Sequence, residues 1–182
     1  MKAVMLSLRP QWCEKIFNGS KSIEVRKSRP SIPTPFKVYV YQTKHNGGKA
    51  IVSEVLNSVY GGGKVIGSFV CDRIDEYTFS NYEARYRIND VDLAKTCLNH
   101  PELIAYGKSK YLYGWHITEP LLFDKPRDIT EFALYGKCAD ECSEYDFCAR
   151  DDEDDRVRDN CFKRTFLKRP PQAYCFIETN EN

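Results

Sequence analysis

The sequence of 182 residues lacks any apolar run long enough to span a bilayer, and its first ten residues, MKAVMLSLRP, lack the apolar core of a signal peptide. No internal repeat is detected. Eight cysteines without an export signal are expected to be free thiols or metal ligands rather than disulfides. A hydrophobic content of 42% is that of a globular chain. We therefore expect a soluble cytoplasmic protein with one sizeable core and no membrane partner.

Histidine is scarce, and no pattern places one of the three beside a thiol, as a Cys–His nucleophile would need. The run Gly61-Gly62-Gly63 precedes a strand pattern, and no Lys-Ser/Thr follows in P-loop register, so it is interpreted as a flexible connection. Four cysteines lie in apolar surroundings and are expected to be buried: Cys13, Cys71, Cys97 and Cys175.

Charge is distributed unevenly along the chain. Between Cys138 and Cys161 there are ten acids and three arginines, a net of −7. The rest of the chain then carries 24 basic and 16 acidic residues, a net of +8. A basic body with an acidic appendage favours a polyanionic partner, although charge alone does not separate nucleic acid from solubility.

The hydrophobic periodicity predicts more strands than helices. A strand over 2–8 has apolar residues on both faces and should be buried, and a helix follows from Pro10 to Asn18-Gly19. The further predicted strands are 22–26, 36–43, 65–74, 111–118 and 172–178, the further helices are 49–60, 90–97 and 101–107, and a helical turn is predicted at 128–132. Strands at both ends of the chain indicate an α+β fold, a small barrel or twisted sheet closed by its terminal strands with short helices on the rim.

One motif stands at the junction of the first helix and the second strand. Gly19, Lys21, Glu24 and Arg26 have the spacing G-x-K-x-x-E-x-R. In an extended segment Ser22, Glu24 and Arg26 share one face, and the intervening apolar residues share the other. This face can be the floor of a polar site, or simply the edge of an amphipathic strand with a surface ion pair.

With this motif in this position, the chain resembles the ASCH family (activating signal cointegrator homology). Further points of resemblance are Ser7 to Pro10, Val65-Ile66-Gly67, Tyr113 to Ile117 and Arg169 to Gln172. The resemblance implies a PUA-like mixed β-barrel formed by residues 1–134 plus 166–182, interrupted by an acidic cysteine-rich insertion at 135–165. It also implies that a cleft around the motif binds RNA or a modified nucleoside.

The residues expected to contact such a ligand are Lys21, Ser22, Glu24, Arg26, Arg9, Trp12 and His116. A lysine can clamp a phosphate or, if its pKa falls, act as a base, and the neighbouring Glu24 favours the charged clamp. Arg26 offers a planar guanidinium whose N–H groups can donate to a phosphate or to a base edge. Trp12, Tyr41 and Trp115 could each stack on a base or pack in the core; Trp115 is assigned to the core and His116, its neighbour on the strand, to the cleft.

A hydrolase is the alternative within the same resemblance. Bacterial N4-acetylcytidine amidohydrolases are similar to this family and use a Lys, a Thr and a Glu. Lys21 matches the first, but Glu24 stands in place of the Thr and Val70 in place of the Glu. A different mechanism would use Glu24 to activate water and Lys21 to stabilise an oxyanion. Resemblance to metal-dependent ribonucleases suggests instead that Glu24 and Asp72 hold a divalent ion.

The insertion contains Cys138, Cys142, Cys148 and Cys161, at spacings C-x3-C-x5-C-x12-C. Four thiolates could hold one structural Zn²⁺, but only the first spacing is that of a usual zinc pair, and free thiols are the other interpretation. No other cofactor is required. The acidic run is either a solvated surface or a nucleic-acid mimic that shields the basic cleft. A third hypothesis makes the chain an adapter that binds a protein partner through this insertion.

Overall fold

The computed structural model describes residues 1–44, 62–138 and 164–179. Within these ranges the chain forms ten strands, three α-helices and one 3-10 turn. The elements are β1 (Lys2–Leu8), α1 (Pro10–Phe17), β2 (Ile23–Arg26), β3 (Phe36–Gln42), β4 (Lys64–Tyr77), β5 (Phe79–Ser80), β6 (Arg85–Tyr86), α2 (Asp90–Thr96), α3 (His100–Gly107), β7 (Leu112–Arg127), the 3-10 turn (Ile129–Glu131), β8 (Ala133–Cys138), β9 (Arg164–Phe166) and β10 (Tyr174–Glu178).

Eight strands form one mixed sheet in the order β2-β7-β4-β3-β1-β10-β8-β9, and β5 and β6 form a separate ribbon. β1 and β3 are parallel and the other pairs are antiparallel. The terminal strands β1 and β10 pair, as predicted, but they lie inside the sheet. Among the described residues the edge strands β2 and β9 do not pair with each other, so the sheet is open and the predicted closed barrel is wrong. These edges have only four and three residues, which offer few ladder hydrogen bonds for closure.

The sheet has an apolar core on each face, and β1 contributes side chains to both. Val4, Leu6 and Leu8 enter the first core, which α1 covers with Cys13 and Ile16. Ala3 and Met5 enter the second core, where the segments after β7 and β9 supply Ile129, Phe132 and Leu167. The prediction of a buried first strand is confirmed.

A third apolar cluster fastens α3 and the residues around α2 to the edge of the sheet. It contains Val25 of β2 together with Tyr77, Leu103 and Leu112. Both helices begin with an asparagine cap, and Asn99 forms a reciprocal capping box with Glu102 at the start of α3. The predicted helices at 90–97 and 101–107 are confirmed, each to within one residue at either end. This cluster holds α3 beside β2.

The two long strands exceed their predicted lengths. β7 continues nine residues beyond the predicted end, through Glu119, whose φ is +50°, and Pro120. Its register with β4 shifts at Gly67, where an added Cβ would lie 2.4 Å from the carbonyl oxygen of Leu121. The predicted bulge or close approach at Gly67 is confirmed, and so is the turn predicted at 128–132.

The predicted helix at 49–60 lies outside the described residues. So does the four-cysteine segment, apart from the backbone of Cys138, which ends β8. The division into a body and an insertion stays a prediction. In the part of the chain that the structure describes, no helix is both long and apolar enough to cross a membrane.

Candidate functional site

The turn between α1 and β2 directs Lys21 into the protein. The helix ends when the N–H of Asn18 donates to the carbonyl of Glu14, and Gly19 follows with a φ of +80°, a conformation that glycine adopts without steric cost. The N–H of Lys21 then donates to the carbonyl of Lys15 at 2.8 Å, which turns the chain back against its own helix. The side chain of Lys21 is only 2% exposed.

The ammonium of Lys21 is held by three groups. Its Nζ donates to the carbonyl oxygen of Thr96 at 2.6 Å, lies 3.3 Å from Oε2 of Glu24, and lies 5.1 Å from the centre of the Trp12 ring. Burial of a charge costs free energy unless it is paired and hydrogen-bonded, and here both conditions are met. The ammonium is therefore fixed in one position.

Glu24 joins two cations. Its Oε2 faces Lys21, and its Oε1 accepts from Nη1 of Arg26 at 3.5 Å. The guanidinium of Arg26 also donates through Nη2 to the carbonyl of Ala173 at 2.9 Å. The group of Lys21, Glu24 and Arg26, hereafter the charged triad, carries one positive charge in excess in a largely desolvated place.

The charged triad lies in the wall of a cavity of about 900 Å³. The ends of the parallel strands β1 and β3 reach this cavity, as do the start of α1, β2 and its following turn, α3, and the segment that leads into β10. The lining residues are Ser7, Leu8, Arg9, Gln11, Trp12, Lys21, Glu24, Val25, Arg26, Lys27, Ser28, Thr43, Leu98, Glu102, Ala105, Tyr106, Pro170, Pro171, Gln172 and Ala173.

The lining combines positive charge with aromatic surface. Arg9 and Lys27 add two cations to the triad, and Glu102 adds one acid, so the lining residues carry a net charge of +2. Lys27 Nζ lies 4.7 Å from the centre of the Tyr106 ring. Burial raises the pKa of Tyr106; the nearby Arg26 opposes this rise and Glu24 adds to it. The phenol therefore stays neutral and can donate a hydrogen bond.

The structure brings together five of the seven predicted contact residues: Lys21, Glu24, Arg26, Arg9 and Trp12. Ser22 does not line the cavity, because β2 begins one residue later and the backbone of Ser22 joins Lys95 and Ile117 instead. His116 is also elsewhere. Its Nε2 lies 2.7 Å from Oδ2 of Asp75, in a cluster with Arg73.

The other aromatic candidates are core residues. Trp115 is fully buried against Phe36 and Tyr174, which confirms its assignment to the core. Tyr41 is buried in the second core, so of the three proposed stacking side chains only Trp12 reaches the cavity.

The described residues give no metal centre. Asp72 is exposed on β4 and does not line the cavity with Glu24. No group of three or more His, Cys, Asp or Glu that could hold a metal occurs among the residues described. The pairing of Glu24 and Asp72 as metal ligands is therefore not formed.

Two of the four body cysteines fulfil the prediction of burial. Cys13 and Cys71 are fully buried, whereas Cys97 and Cys175 are partly buried. Burial, with a smaller contribution from the carboxylate of Glu24, raises the pKa of the Cys13 thiol far above its ordinary value. Cys13 thus lies near the charged triad but has no character of a nucleophile.

Sequence reasoning missed the contribution of α3 to the cavity, from Glu102 and Tyr106. These residues are about eighty positions from the motif, and no spacing connects them to it. The sequence between Tyr77 and Tyr113 does contain tyrosines mixed with lysines and arginines, but the sequence alone does not say which of them reaches the cleft.

An open mixed sheet with a basic, aromatic-lined cavity at its edge defines the α+β architecture of this chain. No protein-family model matches the sequence, and no curated protein matches it either. Among solved structures, the ASCH protein of Zymomonas mobilis has 15% identity and a TM-score of 0.53, over 97% of this chain and 87% of that one.

Two mutant structures of the Zymomonas protein match equally well. The tyrosine-to-phenylalanine mutant has 16% identity and a TM-score of 0.53, over 98% of this chain and 91% of that one. The serine-to-alanine mutant has 16% identity and a TM-score of 0.54, over 97% and 88%. The chain therefore has the fold of these ASCH proteins.

Proposed function

We propose that the chain is an ASCH module that binds RNA or a nucleoside, modified or not, in the cavity beside the charged triad. The observation that carries the proposal is the excess positive charge of Lys21, Glu24 and Arg26 in the wall of a cavity that can hold a nucleotide. Ligand sites in proteins commonly have volumes of about 300 to 1,000 Å³, and this cavity is within that range.

The charges suit an anionic or strongly polar ligand. A cation in a desolvated wall attracts a phosphate or a base oxygen more strongly than the same cation in water. Lys21 supplies a fixed point charge, and Arg26 supplies a planar fork that matches a phosphate or a base edge. Because Glu24 orients both cations, the two donors are positioned before the ligand arrives.

The aromatic residues suit a base. Trp12 and Tyr106 both line the cavity, and stacking on such rings contributes about 1 to 3 kcal/mol per base in single-strand complexes. Stacking tolerates any base, whereas hydrogen bonds to the charged triad would select among them. Together they support a ligand with one flat ring and one anionic or polar edge.

Calorimetric titration with nucleosides, nucleoside monophosphates and short RNAs tests the proposal. Arg26→Ala should weaken binding of every ligand that the native protein retains. Lys125→Ala is the matched control, because it removes one exposed positive charge that does not line the cavity. Absence of binding to all three ligand classes, or equal losses in the two variants, would contradict the proposal.

Hydrolysis in the same cavity is the second candidate, favoured by the contact of Lys21 with Glu24. Glu24 would activate water and Lys21 would stabilise the oxyanion. Binding is preferred because each oxygen of Glu24 already faces a cation, which leaves neither oxygen free to hold an attacking water. Chromatography of RNA and of acylated nucleosides after incubation with the protein separates the two, since only a hydrolase forms product.

The acidic insertion at 135–165 keeps its own predictions. If this segment binds a protein partner, deletion of the segment should abolish that binding, and substitution of Lys21 should leave it unchanged. Structural zinc on its four cysteines would appear as one equivalent of metal after purification without added zinc.

A further inference from the structure

We propose that the ligand is a single-stranded nucleic acid rather than a free nucleoside, and that the strand beside the bound base lies on a basic strip outside the cavity. The basic strip consists of Lys27, Tyr106, Lys108, Lys110 and Tyr111. This inference rests on the proposed function and specifies the substrate class of the same site.

The strip is continuous with the cavity. Lys27 and Tyr106 line the cavity and contact each other, with Nζ 4.7 Å from the ring centre. Tyr106 lies in the last turn of α3, which ends at Gly107, and Lys108 caps the helix. The chain therefore passes directly from the cavity wall to the exposed residues Lys108 and Lys110.

The register of the sheet brings the two sides of the strip together. Arg26 of β2 is opposite Tyr113 of the antiparallel β7. Lys27, which follows Arg26, and Tyr111, which precedes β7, therefore emerge at the same end of this strand pair. The contact of Lys27 with Tyr106 is consistent with this placement.

The strip is built before any ligand binds. The hydroxyl of the buried Tyr86 donates to the carbonyl of Lys110 at 2.6 Å, and an added Cβ on Gly107 would lie 1.8 Å from the same hydroxyl oxygen. Lys108 and Ser109 have φ values of +52° and +61°, so two successive residues hold the left-handed conformation. A rigid corner of this kind costs little entropy to order on binding.

The charges of the strip are unsatisfied within the described residues. Lys27, Lys108 and Lys110 form no ion pair there, in contrast to Lys64, which pairs with Asp128, and Arg127, which pairs with Glu131. Tyr111 is 57% exposed and offers an open ring face. Lysines interleaved with exposed tyrosines are what a sugar-phosphate backbone with unpaired bases requires.

The test compares a nucleoside monophosphate with single-stranded RNA and DNA of eight nucleotides, for the native protein and the double variant Lys108→Ala/Lys110→Ala. The octamers should bind the native protein at least tenfold more tightly than the mononucleotide does. In the double variant, octamer affinity should fall at least tenfold while mononucleotide affinity is unchanged. The slope of log affinity against log salt should become shallower by about 1.4, because each single-strand phosphate contact contributes about 0.7.

The matched control is Lys64→Ala/Lys125→Ala, which removes the partly exposed Lys64, paired with Asp128, and the exposed Lys125 at the opposite end of the β4–β7 pair. It should leave the octamer affinity and salt slope unchanged. The proposed role of the basic strip is wrong if the octamers bind no more tightly than the mononucleotide, or if the two double variants lose equal octamer affinity. Either result would not contradict ligand binding in the cavity. If neither octamer nor mononucleotide binds, the proposed function itself fails.

Discussion

The Nζ atom of Lys21 lies 2.6 Å from the carbonyl oxygen of Thr96, a residue 75 positions later in the sequence. Thr96 is fully buried at the end of α2, and its hydroxyl donates to the carbonyl of Leu93. The position of the lysine charge therefore depends on a helix that does not itself line the cavity. This contact makes the charged triad part of the folded framework.

Replacement of Lys21 should destabilise the protein as well as weaken ligand binding. In Lys21→Met, Glu24 keeps only Arg26 as a partner, and the carbonyl of Thr96 loses its donor. Removal of one partner from a buried ion pair costs about 3 to 5 kcal/mol, and the remaining arginine should place this variant near the lower end. Urea denaturation measures the change in the free energy of unfolding.

Lys95→Met is the control for that measurement. Lys95 pairs with Asp92 at 3.3 Å on the exposed side of α2, and surface pairs contribute about 0 to 1 kcal/mol. If the two substitutions cost the same, the buried triad does not have the energetic role described for it.

Arg26→Lys should show that shape matters at this position as well as charge. The guanidinium reaches Glu24 through Nη1 and Ala173 through Nη2, and one ammonium cannot repeat that fork. We expect ligand affinity to fall about tenfold, the equivalent of one lost charge-assisted hydrogen bond. Titration of the native protein, Arg26→Lys and Arg26→Ala with the same ligand gives the order of their affinities. If Arg26→Lys binds the ligand as tightly as the native protein does, the planar guanidinium is not required.

Gly67→Ala tests the close approach of β4 and β7. The new Cβ would lie 2.4 Å from the carbonyl oxygen of Leu121 and 2.6 Å from the Phe17 ring, so the strand or α1 must move. Overpacking of this kind costs about 1 to 3 kcal/mol. Gly19→Ala is the comparison, because its added Cβ would have no neighbouring atom within 4 Å. It should lower the free energy of unfolding by about 1 to 2 kcal/mol through its positive φ alone.

The protein should lose stability in alkaline solution. Burial raises the pKa of Cys71 from 9.0 to about 12, and that of Cys175 to about 11, and it raises the pKa of Tyr77 as well. Above pH 9 the unfolded thiols lose protons that the folded thiols keep, so the free energy of unfolding falls as pH rises. The slope is about 1.4 kcal/mol per pH unit for each thiol that is ionised only in the unfolded state.

Urea midpoints between pH 8 and pH 10.5 measure this loss. Cys71→Ala should lower stability at pH 8, because it leaves a cavity, and should flatten the decline above pH 9. An unchanged slope in that variant would assign the alkaline loss to other groups.

The parts of the fold that the sequence predicts are those decided by neighbours in the chain. Pro10, Asn18 and Gly19 bound α1 through local rules, and the apolar residues on both faces of β1 report that it lies between two cores. The open sheet was not predictable in this way, because closure depends on whether two distant edge strands meet.

The candidate site shows the same limit. Lys21, Glu24 and Arg26 could be grouped because the turn and strand that carry them are contiguous. The alternation of Trp115 and His116 correctly placed the tryptophan in the core. It could not say which surface the histidine would reach, and the structure pairs it with Asp75. Tyr106 joins the site only because the third apolar cluster holds α3 beside β2.

The hairpin of β8 and β9 has a consequence for how this chain can vary. Ala133 is opposite Phe166, and the N–H of Leu167 donates to the carbonyl of Phe132, so both ends of the stretch between these strands are secured to the framework. Leu167 is buried in the second core, and the segment that lines the cavity begins only at Pro170. The contacts that hold these two ends therefore lie outside the cavity lining, and this junction is a natural place to graft a foreign loop or a reporter.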